Sequence, residues 1–203
     1  NLDLKNMRPI REFQKKNGIG SHLKLNKKKY LLVIQHPVTT EYDENYKNIL
    51  KTIKVVDDLK IETVWILSNV DSGSEFINKA IRVYRENKKP NHIHFFKSLE
   101  IELYGPLLKN TLCILGNSSS GIRESSFLGT PAVNIGTRQN GRKSGKNTLH
   151  VNYNSNEIKN AVKKQMKIKK YIPNFMYGDG MASKKIVKVI ENFDIKNQKL
   201  ISY

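Results

Sequence analysis

Six strand-length apolar runs recur along this chain, and most are followed by a longer segment with helical spacing; no other feature restricts the fold as strongly. Tyr30-Leu31-Leu32-Val33-Ile34-Gln35 is the first run, uninterrupted as expected of a strand buried on both faces. Tyr46, Ile49, Leu50, Ile53 and Val56 then follow the 3.6 period and predict an amphipathic helix over about residues 42–60. The unit repeats with strands at 63–67 and 92–96, a helix marked by Phe76, Ile77, Ala80, Ile81 and Tyr84, and another around 98–109. Strands at 112–115, 131–135 and 148–151 follow, with a short helix at about 121–128. Two closing helices come at about 155–168 and 181–193, the second striped by Ile186, Val187, Val189 and Ile190. Strands alternating with helices at this spacing predict an α/β, Rossmann-like parallel sheet with helices on both faces. Right-handed crossovers then bring the strand-to-helix loops to one edge, where open sheets of this kind bind ligands.

The domain so defined covers residues 30–203. Residues 1–29 are polar, with a helix predicted from about Pro9 to Gly18, and read as a lead-in or hinge. A single cysteine, Cys113, excludes an internal disulfide or a multi-cysteine metal centre and favours a reducing, cytoplasmic setting. The longest apolar run, Tyr30 to Ile34, is far below the roughly 20 residues of a membrane span. The net charge of +18 invites a nucleic-acid reading, but its placement opposes one. Residues 61–140 carry 9 bases and 7 acids, whereas residues 141–203 carry 14 and 4. Only 7 of the 36 bases are Arg, the side chain suited to bidentate phosphate and guanine contacts. A lysine-rich solvated surface accounts for the excess.

Three polar, turn-rich segments fall at strand ends on the expected ligand edge: 35–41, 68–74 and 116–121. Gly116-Asn117-Ser118-Ser119-Ser120-Gly121 joins a strand to a helix, where unpaired amides and hydroxyls suit a phosphate. An N-cap serine is the plainer use of the same residues. Glu124 would repel a diphosphate but suits a ribose diol; a first-turn carboxylate favoured by the helix dipole is its plain alternative. His36 sits directly after a buried strand, placed for ligand contact or simply on a surface loop. Arg138 and Arg142 lie in a glycine-containing loop that could close on phosphate or remain solvated. His92 and His94 share a strand face, but no third ligand accompanies them, so a structural use is expected and no metal. Cys113 reads as core packing.

These segments closely resemble the hydrolysing UDP-N-acetylglucosamine 2-epimerases. The resemblance rests on His36-Pro37-Val38-Thr39-Thr40-Glu41, Asn69-Val70-Asp71-Ser72-Gly73-Ser74, residues 116–124, residues 128–139 and Tyr177-Gly178-Asp179-Gly180. It implies the C-terminal half of a GT-B-type enzyme of two Rossmann-like domains, which binds a UDP-N-acetylhexosamine between them. By resemblance, His36, Asn69, Ser118, Ser119, Gly121, Glu124 and Arg138 contact substrate, with Glu124 on the ribose and the serines and Arg138 on the diphosphate. His36 is also the one catalytic candidate. The implied reaction needs no metal or cofactor: UDP is eliminated to a 2-acetamidoglucal, and water adds to give N-acetylmannosamine for sialic or nonulosonic acid synthesis. The family's N-terminal domain has no counterpart in these residues, and a homo-oligomer is expected of the whole enzyme. Epimerisation of UDP-diacetylbacillosamine, a non-hydrolysing outcome, and a non-catalytic module for UDP-sugars or polyanions are the alternatives.

Overall fold

The computed structural model describes Leu23, Leu25 and residues 29–192. The helix expected between Pro9 and Gly18 lies outside them. Six strands, β1 (Leu31–Ile34), β2 (Thr63–Ile66), β3 (Ile93–Phe96), β4 (Cys113–Gly116), β5 (Ala132–Ile135) and β6 (Thr148–Val151), form one sheet in the order β3-β2-β1-β4-β5-β6. All five ladders are parallel. The helices are α1 (Asn45–Leu59), α2 (Ser74–Lys88), α3 (Ile101–Asn110), α4 (Glu124–Leu128), α5 (Ser155–Met166) and α6 (Ala182–Asn192). The expected α/β architecture is present.

The unbroken apolar runs have a direct cause, because the sheet has a core on each side. Leu31 and Val33 of β1 join Trp65, Cys113, Leu115 and Val133 beneath α1, α2 and α5. Tyr30, Leu32 and Ile34 join Val64, Ile114 and Leu107 on the opposite face with α3. A period-2 side-chain alternation therefore meets apolar surroundings at every position. Each such side chain contributes about 1.5–3 kcal/mol by leaving water. Cys113 is fully buried in β4, and burial pushes its thiol pKa up, as packing requires of it.

Two elements differ from the sequence expectation. The helix expected from about 42 begins as a 3-10 turn over Thr39–Glu44, because Glu41 takes non-helical angles and interrupts the ladder. The short helix expected over 121–128 is also split, into a 3-10 turn at Ser119–Gly121 and the five-residue α4. α6 forms as expected, but none of its residues is buried. No helix among the described residues is long and apolar enough to cross a membrane.

Candidate functional site

The strand order reverses at β1, whose chain continues outward to β2 on one side while β4 lies on the other. Loops leaving β1 and β4 at such a point depart toward opposite faces, which opens a crevice at their carboxyl ends. Gln35 and His36 leave β1 there, and Asn117 and Ser118 leave β4.

Asn117 joins the two strand ends. Its Oδ1 accepts from the His36 backbone N–H at 2.6 Å, and its Nδ2 donates to the His36 carbonyl at 2.8 Å. Its own backbone N–H donates to the Ile34 carbonyl. Gln139, from the loop after β5, closes the arrangement by donating Nε2 to the Asn117 carbonyl at 2.7 Å. The crossing is tight enough to require glycine at 116. Its φ is +130°, and a Cβ there would lie 2.0 Å from the Ile34 carbonyl oxygen.

His36 is 7% exposed, and its ring is held as well as its backbone. The Asn69 amide donates to Nδ1 at 3.3 Å, so a neutral ring carries its hydrogen on Nε2. Its pKa is lowered to about 4, chiefly by loss of solvation and then by the Arg138 guanidinium, against the opposing pull of Asp71. His36 is therefore a neutral donor at physiological pH. Arg138 approaches Asp71 with 3.4 Å between Nη2 and Oδ2, a half-exposed pair that gives the guanidinium an orientation and little stability. Thr137, next to it, hydrogen-bonds Glu41 and ties the β5–β6 loop to the loop after β1.

The serine loop takes the plainer of its two expected uses. Ser118 is the N-cap of the 3-10 turn and accepts from the Ser120 amide at 3.3 Å. The amides of Gly121, Ile122 and Arg123 bond to Ser118 and Ser119 carbonyls within the loop. Ser119 and Gly121 stand half-buried beside open space, since nothing lies within 4 Å of a Cβ placed on Gly121. Glu124 is exposed at the first position of α4, and no hydrogen bond among the described residues links it to His36, Asn69 or Arg138.

Among the expected site residues, the structure thus brings His36, Asn69 and Arg138 to one edge with Ser118 beside them on the Asn117 hinge. Ser119 and Gly121 follow on the adjoining turn, while Glu124 and Arg142 are exposed and stand outside the hydrogen-bonded group. The sequence reading passed over Asn117, Gln139 and Asp71 as individual site residues. An amide directly after a buried strand and its glycine was the available signal for Asn117; nothing local marked Gln139. His92 and His94 take structural partners. His94 bonds to Glu62, and His92 Nε2 lies 3.5 Å from Asp57. Among the described residues no three His, Cys, Asp or Glu side chains group as metal ligands.

The model of the family described as UDP-N-acetylglucosamine 2-epimerase matches residues 1–191. A UDP-N-acetylglucosamine 2-epimerase of Neisseria meningitidis is 29% identical over 166 residues, 80% of this chain and 43% of the relative. A Campylobacter jejuni protein named GDP/UDP-N,N'-diacetylbacillosamine 2-epimerase (hydrolyzing) is 35% identical over 128 residues, 63% of this chain and 33% of the relative. Among solved structures, a Neisseria meningitidis UDP-GlcNAc 2-epimerase bound to UDP-GlcNAc superimposes with a TM-score of 0.62 at 16% identity. The match covers 83% of this chain and 46% of that one. The chain spans less than half the length of these relatives.

Proposed function

This chain belongs to the UDP-N-acetylglucosamine 2-epimerase family, and from that premise we propose that it is the nucleotide-binding part of a hydrolysing epimerase. Its substrate in this reading is UDP-N-acetylglucosamine, and the products are N-acetylmannosamine and UDP. The observation that carries the reading is the Asn117 clamp at the reversal of strand order. It holds His36 and the Ser118–Gly121 turn side by side at the edge where a nucleotide would enter.

Each residue has a part in that proposal. Ser118, Ser119 and Arg138 receive the diphosphate in the space left open at Gly121, and Glu124 takes the ribose diol. Arg138 is already oriented by Asp71, and exchanging a half-exposed carboxylate for a phosphate costs little. His36 offers Nε2–H as a donor toward the departing oxygen or the sugar, with Asn69 keeping the ring in the required tautomer. Elimination of UDP and addition of water also need a group that takes the proton from the sugar C2 and an acid that returns one. The carboxylates at this edge have other uses in this reading, Asp71 with Arg138, Glu41 with Thr137 and Glu124 with the ribose, and we assign that work to the portion of the relatives' length that this chain does not span.

The same portion gives α6 a use. Ile186, Val187, Val189 and Ile190 are each more than half exposed, and the preceding segment adds Phe175 and Met181. A second domain packed there would complete the cleft; homo-oligomerisation of a cytoplasmic enzyme belongs to the same reading. The Campylobacter relative favours a second substrate, UDP-N,N'-diacetylbacillosamine, which would present the same diphosphate to the same loop.

Thermal melting with millimolar UDP tests the binding half of the proposal, since a ligand bound only to the native state raises the midpoint. UDP is expected to raise it, and Ser118→Ala or Glu124→Ala to remove most of the rise. Gly121→Ala should melt normally without UDP, because its Cβ meets nothing, yet lose the response if a ligand fills that space. Absence of any UDP effect on the unaltered chain would overturn the reading. Product chromatography with a chain of the relatives' length, given each UDP-sugar in turn, separates the two substrates and the hydrolysing outcome.

A further inference from the structure

A second concave surface adjoins the strand-end site at Asn69 and extends from there along the outer flank of the sheet. β3 is the outermost strand, with its ladder to β2, and α2 packs beside it. Between them runs an open groove of about 1320 Å³. That exceeds the roughly 300–1,000 Å³ of small-molecule clefts, and so fits a length of chain better than a metabolite.

Its lining has a consistent chemistry. Lys79, Arg82, Arg85, Lys89 and Lys97 border it, against the two carboxylates Glu75 and Glu86. Glu75 is already engaged, accepting a hydrogen bond from the Tyr42 hydroxyl at 2.6 Å. Arg85 lies 5.4 Å over the Phe95 ring, which fixes one cation against an apolar floor that includes Ile81 and Ile93. At the end nearer the β2–α2 loop the Ser68 hydroxyl is buried without a hydrogen-bond partner. This patch lies in the nearly neutral middle of the sequence, so the lysine-rich tails do not account for it.

We propose that the groove between α2 and β3 docks an extended acidic segment of a partner polypeptide, laid along the outer edge of β3 with its carboxylates toward Arg82, Lys89 and Lys97. Edge strands receive extended chains through their main-chain groups, and side-chain charges select which chain. Residues 1–22 carry five bases and two acids, and residues 193–203 carry two bases and one acid, so neither segment supplies the negative charge that complements the groove. Single-stranded nucleic acid would need exposed rings for its bases. Phe95 is the aromatic residue of the groove, 5% exposed and covered by Arg85.

The probe is a fluorescein-labelled peptide of about ten residues alternating Glu and Val, long enough to overrun the four residues of β3 at about 3.3 Å per residue. Fluorescence anisotropy with the 203-residue chain at low salt should show saturable binding that weakens as salt rises. The double substitution Arg82→Glu with Lys89→Glu should weaken it by about tenfold or more, as expected for reversed charges at a rim. The UDP response of that variant should stay at the level of the unaltered chain, which separates this proposal from the one for the strand-end site. A control peptide of Glu-Pro-Pro repeats with the same number of Glu residues places Pro on both edges of the extended chain, so it cannot pair with β3 in either orientation and should bind at least about tenfold more weakly. Four results would overturn the proposal. They are no binding at low salt, equal binding of the proline peptide, tighter binding of an oligothymidylate of equal length lost with the same double variant, or a groove variant whose sole effect is on the oligomeric state.

Discussion

The crossing of β1 and β4 and the chain's last helix are both regular, apolar and well formed, yet they are completed in opposite ways. At the crossing the backbone groups of His36 and Asn117 have found their partners within the chain. Asn117 closes on His36, Gln139 closes on Asn117, and Gly116 lies against Ile34 with no room for a side chain. In α6 the helix is made and its apolar face is not: Ile186, Val187, Val189 and Ile190 all face outward at more than half exposure. Exposed apolar faces of that kind mark a surface awaiting a partner. In the proposed reading the difference separates what this chain can finish alone, a preorganised half-site, from what it leaves to another surface.

The first way to break the comparison is at its rigid end. Gly116→Ala should destabilise by about 4 kcal/mol or more, since it combines a positive φ with a Cβ contact of 2.0 Å on backbone that cannot retreat. Asn117→Leu should follow at about 2–4 kcal/mol, because it leaves the His36 amide and carbonyl buried without partners. Urea denaturation reads both. If Gly116→Ala behaved like an ordinary surface change, the crossing would be looser than its geometry, and the contrast with α6 would disappear.

Acid sharpens the same end. His36 has a native pKa lowered from 6.5 to about 4, chiefly by burial. Protons therefore bind the unfolded state first, and the stability that His36 contributes is complete above pH 6.5 and falls as the pH drops toward 4. The shift corresponds to a loss of about 3 kcal/mol across that window. The carboxylates of Asp57 and Asp58 also have lowered pKa values, and their contribution is lost toward still lower pH, so the wild type alone is ambiguous. The difference between wild type and His36→Gln isolates the histidine. It should shrink from pH 7 to pH 4.5, and a constant difference would mean that the ring is not held out of water.

How much of this could be read from the sequence follows from the range of each interaction. The strands were legible because a sheet with a core on both sides needs apolar residues at every position, a pattern visible in Leu31–Ile34 and Cys113–Leu115 alone. His36, Asn69, Ser118 and Arg138 were legible as strand-end residues, since strand order dictates where those loops converge. The Asn117 clamp was not, because it joins residues 81 apart and depends on the register of two parallel strands. Gln139 bonds a carbonyl whose position no local pattern announces. The split at Ser119–Gly121 was also hidden: the Ser118 hydroxyl's bond to the Ser120 amide competes with a regular helix start, and composition does not say which prevails. In α6 the stripe was plain, whereas whether another surface covers it does not depend on the stripe, and among the described residues none buries it.

The smallest expected effect is the most informative about that last point. Val187→Ser combined with Ile190→Ser removes apolar surface that is 52% and 57% exposed in this chain. Surface changes of this kind stay within about 0.5 kcal/mol, and the melting of the 203-residue chain should barely move. Serine costs little helix propensity relative to valine and isoleucine, so α6 itself should persist by circular dichroism. In a chain of the relatives' length the same pair should cost several times more, because a face that is wet here would be dry there. A loss of about 2 kcal/mol in the short chain would instead mean that α6 already has something to pack against. The two ends of the comparison would then be alike, and the half-site would be closer to complete than its exposed helix indicates.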